Sequence, residues 1–373
     1  MKRRQFFVMA GATLVVAGVV YYLTTDKRNF IRSDEKDDSP HILPLHEDER
    51  KILYLASLAP SGHNTQPWLV KYIEPYHWII GNDKSRWLPA VDPTQRETML
   101  SIGAFLQNLE YAATKAGYTC DFNLLATTNQ DENIVEVKLK KAKYRSFDTK
   151  KILLRKTIRS NYLNDVLRKD DLAYLLNHET DFIHYLPNSS KEHQWLNEQT
   201  IEANKIQAYR DDAEAELANW IRFSSLDAKS YGDGLTLASM EIEGIPAWYL
   251  RNFYGKKDVM KNSFREQSID KVKKQVMQSA GWLLITSKDD SVATLLETGK
   301  RMQRLLLKIR ERYIAIHPMT QILEEPATQQ ILHQSIGINE PVQFILRTGY
   351  VKNYLQPVSI RRPVEKFLQF TYR

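Results

Sequence analysis

Apolar positions change their spacing along this chain, and each change marks an element. Residues 6–23 are apolar, broken only by Gly11, Thr13 and Gly18. Residues 24–45 are polar and charged, with Pro40 and Pro44, and are expected to form a tether. Across 46–59, Ile52, Leu55, Ala56 and Ala59 fall on one helical face, and Pro60-Ser61-Gly62 ends the helix. Segments 68–73 and 78–81 have the character of a strand and its hairpin partner. A strong helix is expected at 98–117, apolar at Ile102, Phe105, Leu106, Leu109 and Ala113, with Gly117 as its stop. Residues 134–139 alternate as a strand does.

A second unit starts near residue 150. A short helix at 169–177 precedes a long polar helical stretch at 192–223. An irregular segment at 224–262 follows, carrying Gly232, Gly234, Gly244 and Pro246. Irregular segments of this length in folded chains commonly act as covers, so 224–262 is expected to be a lid. A strand at 282–286, a helix at 292–313 and a strand at 342–348 complete the unit. Its helix repeats a pattern of the first: Gly103-x-x-Leu106-Gln107-x-Leu109 is echoed by Gly299-x-x-Met302-Gln303-x-Leu305. Residues four apart share a helix face, so the glycine permits close backbone approach and the glutamine offers a polar contact at the seam. The echo predicts a duplicated helix–strand unit packed about a pseudo-twofold axis. The expected fold class is α+β.

Charge changes this picture little. The net charge is +7, but residues 1–33 hold Lys2, Arg3, Arg4, Lys27, Arg28 and Arg32 against Asp26, which leaves the rest of the 373-residue chain near neutrality. A basic groove for nucleic acid is therefore not expected. The lone cysteine, Cys120, rules out an internal disulfide and a cysteine zinc site, and it reads as an inert thiol. The start of the chain is more informative. Arg3-Arg4 followed by Gln5-Phe6-Phe7 and the apolar run resembles a twin-arginine export signal, and a plain signal-anchor would carry the same residues. As a helix, 6–23 would reach roughly 27 Å, enough for a bilayer core. No small-x-small cleavage site follows it, and the protein is expected to be exported, either periplasmic or anchored to the outer face of the cytoplasmic membrane.

Three segments carry candidate chemistry. Ala59-Pro60-Ser61-Gly62-His63-Asn64-Thr65-Gln66-Pro67-Trp68 lies at a helix-to-strand junction, where Ser61, Asn64 and Gln66 offer uncharged donors and acceptors. Arg155-Lys156-Thr157-Ile158-Arg159 gathers donors suited to phosphate oxygens. Arg361-Arg362-Pro363 places two arginines near the C-terminus, where they could close on the same phosphate. The chain has no His-Glu-x-x-His, paired-cysteine, Walker or Gly-x-Gly-x-x-Gly motif, and no metal ligand or protein nucleophile is assigned.

Together these segments resemble the nitroreductase family. Residues 59–68 are similar to its flavin loop, Ala-Pro-Ser-x-x-Asn-x-Gln-Pro-Trp. Arg155-Lys156-Thr157-x-Arg159 is similar to its Arg-Arg-Ser-x-Arg phosphate motif. Gly349-Tyr350 through Arg362 is similar to its closing segment. The likeness covers about residues 46–372. The order departs from the single-unit family, because the loop precedes the phosphate motif and each occurs once. It resembles the fused, two-domain branch typified by the mycobacterial Acg proteins. That resemblance implies two nitroreductase-like halves, each a mixed sheet flanked by helices, at 46–149 and 150–373, forming an intramolecular pseudo-dimer. It implies one FMN held by Ser61, Asn64, Gln66, Arg155, Lys156, Thr157, Arg159, Arg361 and Arg362. It further implies hydride transfer from NAD(P)H through the flavin to a nitro, quinone or similar small acceptor. A flavin-sequestering protein with little turnover and an anchored scaffold without cofactor remain alternatives.

Overall fold

The computed structural model describes residues 16, 18–35, 45–143, 146–177 and 179–370. The Lys2-Arg3-Arg4 run and most of the apolar segment lie outside the described residues. No helix among the described residues is long and apolar enough to cross a membrane.

The strands in chain order are β1 (Trp68–Glu74), β2 (His77–Asn82), β3 (Tyr118–Leu124), β4 (Asn133–Lys141), β5 (Ile183–Pro187), β6 (Ile221–Arg222), β7 (Leu235–Thr236), β8 (Gly281–Thr286), β9 (Ile314–Pro318), β10 (Val342–Tyr350) and β11 (Leu368–Phe370). The principal helices are α1 (Glu47–Ser57), α2 (Arg96–Lys115), α3 (Lys191–Tyr209), α4 (Gly244–Phe253), α5 (Asn262–Val276) and α6 (Val292–Leu306). One sheet runs β11-β1-β2-β4-β3 and the other β5-β8-β10-β9. The first sheet is mixed, because β11 pairs parallel to β1 while its other pairs are antiparallel. The second is antiparallel throughout. Thus the C-terminal strand of the second half completes the sheet of the first.

The fold is α+β, with helix-flanked sheets, as the sequence predicts. Its axis is the α2–α6 pair. A methyl group added at Gly103 would sit 2.1 Å from the carbonyl oxygen of Leu296, and one added at Gly299 would sit 2.0 Å from that of Leu100. Each glycine therefore faces the carbonyl three positions before the other glycine, which is the signature of a local twofold relation. The backbones touch directly because neither crossing residue has a side chain. Phe105, Leu106 and Leu109 of α2 and Leu295, Met302 and Leu305 of α6 share one buried cluster with strands of both sheets. The seam glutamines make polar contacts but not with each other: Gln303 donates to Asn108 Oδ1 at 2.7 Å, and Gln107 Oε1 accepts from Arg304 at 2.9 Å.

Three expectations need correction. The stretch 192–223 is not one helix. It breaks at Arg210 (φ −87°, ψ 108°), which caps both α3 and the next helix, Asp211–Trp220. The Arg210 guanidinium donates to the Ala90 carbonyl at 2.6 Å and pairs with Glu325, so tertiary contacts hold this residue extended. The helix expected at 292–313 ends at Leu306; a 3₁₀ turn at Ile309–Arg312 and a left-handed Tyr313 (φ 55°) swing the chain into β9. The lid segment 224–262, expected to be irregular, is largely helical, containing Ser225–Tyr231, α4 and Lys256–Val259.

Residues 25–35, expected within the tether, pack against the lid. Thr25 Oγ1 accepts from Trp248 Nε1 at 3.1 Å, Asp26 accepts from the Ser225 amide at 2.9 Å, and Arg251 donates to the Lys27 carbonyl at 3.0 Å. Polar side chains that suit a solvated linker serve equally well as partners for lid backbone groups.

Candidate anion-binding cleft

The loop after α1 is strained. His63, Asn64 and Gln66 all have left-handed backbones, with φ of 47°, 55° and 55°. Such conformations cost a residue with a side chain ~1–2 kcal/mol each, so other contacts must hold them. Ser61 Oγ accepts from the Gln66 amide at 2.9 Å. Asn64 Nδ2 donates to the carbonyls of Gly234 (3.1 Å) and Ile360 (3.2 Å), and its Oδ1 accepts from Arg361 at 3.0 Å. The Gly234 amide returns a bond to the Asn64 carbonyl at 3.1 Å. Gly234 itself has φ 78°, and a methyl there would lie 2.4 Å from the Trp220 carbonyl oxygen. Loop, lid and C-terminal segment thus meet at Asn64.

The second motif follows the short helix Lys150–Leu154 and is fixed through its backbone. The Arg159 amide donates to Glu241 at 2.8 Å. Its carbonyl accepts from Gln275 at 2.9 Å and from Arg347 at 2.6 Å. Lid, α5 and β10 therefore hold the chain at Arg159 while its guanidinium and the Lys156 ammonium make no hydrogen bond or ion pair among the described residues.

These segments enclose one cleft, about 620 Å³ of empty space counted with its opening to solvent, lined in part by Ser61, His63, Asn64, Arg155, Lys156, Thr157, Arg159 and Arg361. Asn64 and Arg159 therefore share a single cavity. Arg32 also lines it, and among the described residues no carboxylate does. Five cationic side chains converge where water is scarce. Burial and mutual repulsion hold Arg155 down at about 10 and Arg361 down at about 9, and burial lowers Arg32, Lys156 and Arg159. Arg155 and Arg361 remain charged near neutrality. Burial and the Arg159 charge push His63 down to about 4, so its imidazole is neutral there. Arg155 Nε and Arg361 Nε are buried without a partner. Packing like charges this way is unfavourable unless an anion neutralises them, so the cleft has the chemistry of a phosphate site.

Of the nine residues expected to bind cofactor, seven line the cleft. Gln66 and Arg362 do not. Gln66 is fully buried, donating to the Gly232 carbonyl at 2.9 Å and accepting from the Arg362 amide at 2.9 Å. Arg362 is buried, donates to the Trp68 carbonyl at 2.8 Å, and lies 3.7 Å from Asp83. The pair ties the C-terminal segment to β1 behind the cleft. Arg361 is also heavily engaged, donating to the Ile360 carbonyl at 2.8 Å and the Ala59 carbonyl at 3.2 Å. Arg32 and His63 were not expected as lining residues. His63 could have been found from its place inside the loop; nothing local marks Arg32, which stands far from both motifs in sequence. Burial pushes the Cys120 thiol up to about 12, consistent with an unreactive side chain.

The helix-backed sheets, the glycine-seamed helix pair and the cationic cleft define an α+β protein with a candidate phosphate site. No family model matches the chain. It is 25% identical over 338 residues to a Mycobacterium tuberculosis protein (strain ATCC 25618 / H37Rv) provisionally named NAD(P)H nitroreductase acg, covering 85% of this chain and 94% of that protein. Among solved structures, the FMN-dependent nitroreductase NfnB from Mycobacterium smegmatis, in complex with NADPH, aligns with a TM-score of 0.35 at 14% identity, over 58% of this chain and 95% of that one. A nitroreductase-like family protein from Bacillus cereus aligns with a TM-score of 0.32 at 11% identity, over 60% of this chain and 94% of that one.

Proposed function

We propose that the chain is an FMN-binding oxidoreductase that accepts hydride from NAD(P)H and passes it to a nitro, quinone or similar small acceptor. The observation that carries this reading is the convergence of Arg32, Arg155, Lys156, Arg159 and Arg361 on a carboxylate-free cleft that also contains Ser61, His63 and Asn64. The likeness to a protein named as a nitroreductase, along most of both chains, supports the same reading. Bound FMN would supply two-electron redox chemistry. Lys156, Thr157 and Arg159 would hold its phosphate; the Lys156 and Arg159 side chains have no hydrogen bond or ion pair among the described residues, and the Arg159 backbone is already fixed. Arg155 and Arg361 add positive potential, with most of their hydrogen bonds directed to protein carbonyls. Ser61 and Asn64 would shape the neutral part of the cleft, and neutral His63 would keep that part free of extra charge. One complete site per chain fits a monomeric pseudo-dimer, since each motif occurs once.

One observation favours a second reading, flavin sequestration with little turnover. Both amide donors of Asn64 are spent on the lid and the C-terminal segment, so the cleft is stapled shut on one side. The two readings separate in one experiment. The purified protein should be yellow, and anaerobic NAD(P)H should bleach it if the flavin turns over. Persistent colour would support sequestration. A colourless protein that takes up no added FMN would exclude both.

The N-terminal run is proposed to export the protein and hold it at the outer face of the cytoplasmic membrane. Support comes from the apolar run itself and from its described end, where Val16, Val19, Val20 and Leu23 are exposed. There Tyr22 packs on lid residue Trp248 at 5.4 Å between ring centres, and Lys27 covers Tyr22. Aromatic and cationic side chains of this kind suit a membrane interface. Fractionation of cells expressing the full chain, with alkaline carbonate extraction, tests the assignment.

A further inference from the structure

We propose that residues 25–35 are a built wall of the cleft and that Arg32 is a phosphate-binding residue. The proposal rests on the reading of the cleft as an FMN phosphate site, and it assigns that site a residue from ahead of both halves of the fold.

The segment is anchored along its length. Asp26 and Arg28 take hydrogen bonds from the amide and hydroxyl of Ser225, at 2.9 and 2.6 Å. The Arg32 amide donates to the Val358 carbonyl at 3.2 Å, and Glu35 accepts from the Arg361 amide at 2.7 Å. Asp34 closes a local cap on the Ile31 amide at 3.2 Å and pairs with Arg28 at 2.7 Å. Lid and C-terminal segment therefore grip the stretch from both sides, and Arg32 faces a cleft that already contains four other cationic side chains. Its guanidinium donates to the Leu153 carbonyl, which places it beside the start of the phosphate motif. Glu35 accepts from the Arg361 amide and also attracts the Arg32 and Arg361 charges, so it offsets them in part. A fifth cation drawn into such a cleft is repelled by the others in the free protein. The same geometry becomes favourable once a phosphate monoester is bound, because arginine's fork matches its oxygens. Arg32 would then contribute to choosing FMN over riboflavin, which has no phosphate.

The test uses full-length protein in detergent, with Arg32→Ala and Arg32→Lys variants titrated with FMN and with riboflavin. Arg32→Ala should weaken FMN binding roughly ten- to hundred-fold while riboflavin affinity stays within about two-fold. Arg32→Lys should recover part of the loss. Unchanged FMN affinity in Arg32→Ala would overturn the proposal. So would an equal loss of both flavins, which would mark Arg32 as a support of the fold. Should the wild type bind neither flavin, the FMN reading fails separately, and inorganic phosphate then serves as the probe. Phosphate should raise the melting temperature of the wild type more than that of Arg32→Ala; equal gains would remove Arg32 from any anion site.

Discussion

Arg361 donates from Nη1 to Oδ1 of Asn64 at 3.0 Å, joining residues 297 positions apart. This bond closes the C-terminal segment onto the loop after α1, and the lid joins the same node through Gly234. The cleft is assembled by long-range contacts among five segments, none of which forms it alone.

Removing the Asn64 side chain should loosen that node. Asn64→Ala loses three hydrogen bonds and leaves an alanine in a left-handed backbone. A loss of roughly 2–4 kcal/mol in folding stability is expected from denaturant unfolding. Amide exchange should speed up at residues 232–239 and 359–362. Unaltered exchange there would mean that the lid is held elsewhere.

Arg159 offers a cleaner test of the cleft chemistry. Its amide and carbonyl are held by Glu241, Gln275 and Arg347, so the backbone should stay in place when the side chain is cut back. Arg159→Ala should weaken FMN binding by about 1.5–3 kcal/mol. An FMN dissociation constant equal to that of wild type would rule out Arg159 as a phosphate ligand.

The helix seam should tolerate no added atom. In Gly103→Ala the new methyl would overlap the Leu296 carbonyl, and backbone in a packed helix pair cannot retreat cheaply. A loss of about 3 kcal/mol or more is expected, and Gly299→Ala should match it because its environment is the twofold equivalent of the first. Melting curves of the two variants decide the point; a near-neutral result in either would show that the helices can separate.

A buried acidic site should make stability fall as pH rises. Thr320 Oγ1 lies 3.1 Å from both Glu97 Oε1 and Glu324 Oε1. Burial first, then the Glu97 charge, raise the Glu324 carboxyl above its ordinary range, despite hydrogen bonds from Gln207 and Thr320. A folded-state value above the unfolded one means the folded protein binds the extra proton. Its contribution is therefore complete below the ordinary carboxylate range and is lost as pH rises through the folded-state value. Glu324→Gln should flatten the decline in unfolding free energy between about pH 5 and pH 8. An equally steep decline in the variant would place the titration on another group.

Local pattern was enough for much of this protein. The apolar period of α2, the alternation of β4 and the Gly103/Gly299 echo were legible because they depend on which faces of a helix or strand are buried. The three motif segments were legible because their side chains have a definite chemistry at short spacing. The break at Arg210 was not, since its cause is a hydrogen bond to Ala90 and an ion pair with Glu325, both more than a hundred residues away. Nor were Gln66 and Arg362 separable from the cleft residues: the same amide and guanidinium suit a ligand or a buried backbone, and only packing directs them to Gly232 and Trp68.

By itself, the sequence determined the α+β class, the paired helices and the presence of a cationic motif beside an uncharged loop, because periodicity and side-chain chemistry are properties of neighbours in the chain. Tertiary structure alone decided that residues 25–35 pack against Ser225 and Arg361, that β11 belongs to the first sheet, and which side chains reach the cleft. Those outcomes depend on which distant groups satisfy a buried donor or acceptor, and the free energy of that choice is not written in any local stretch.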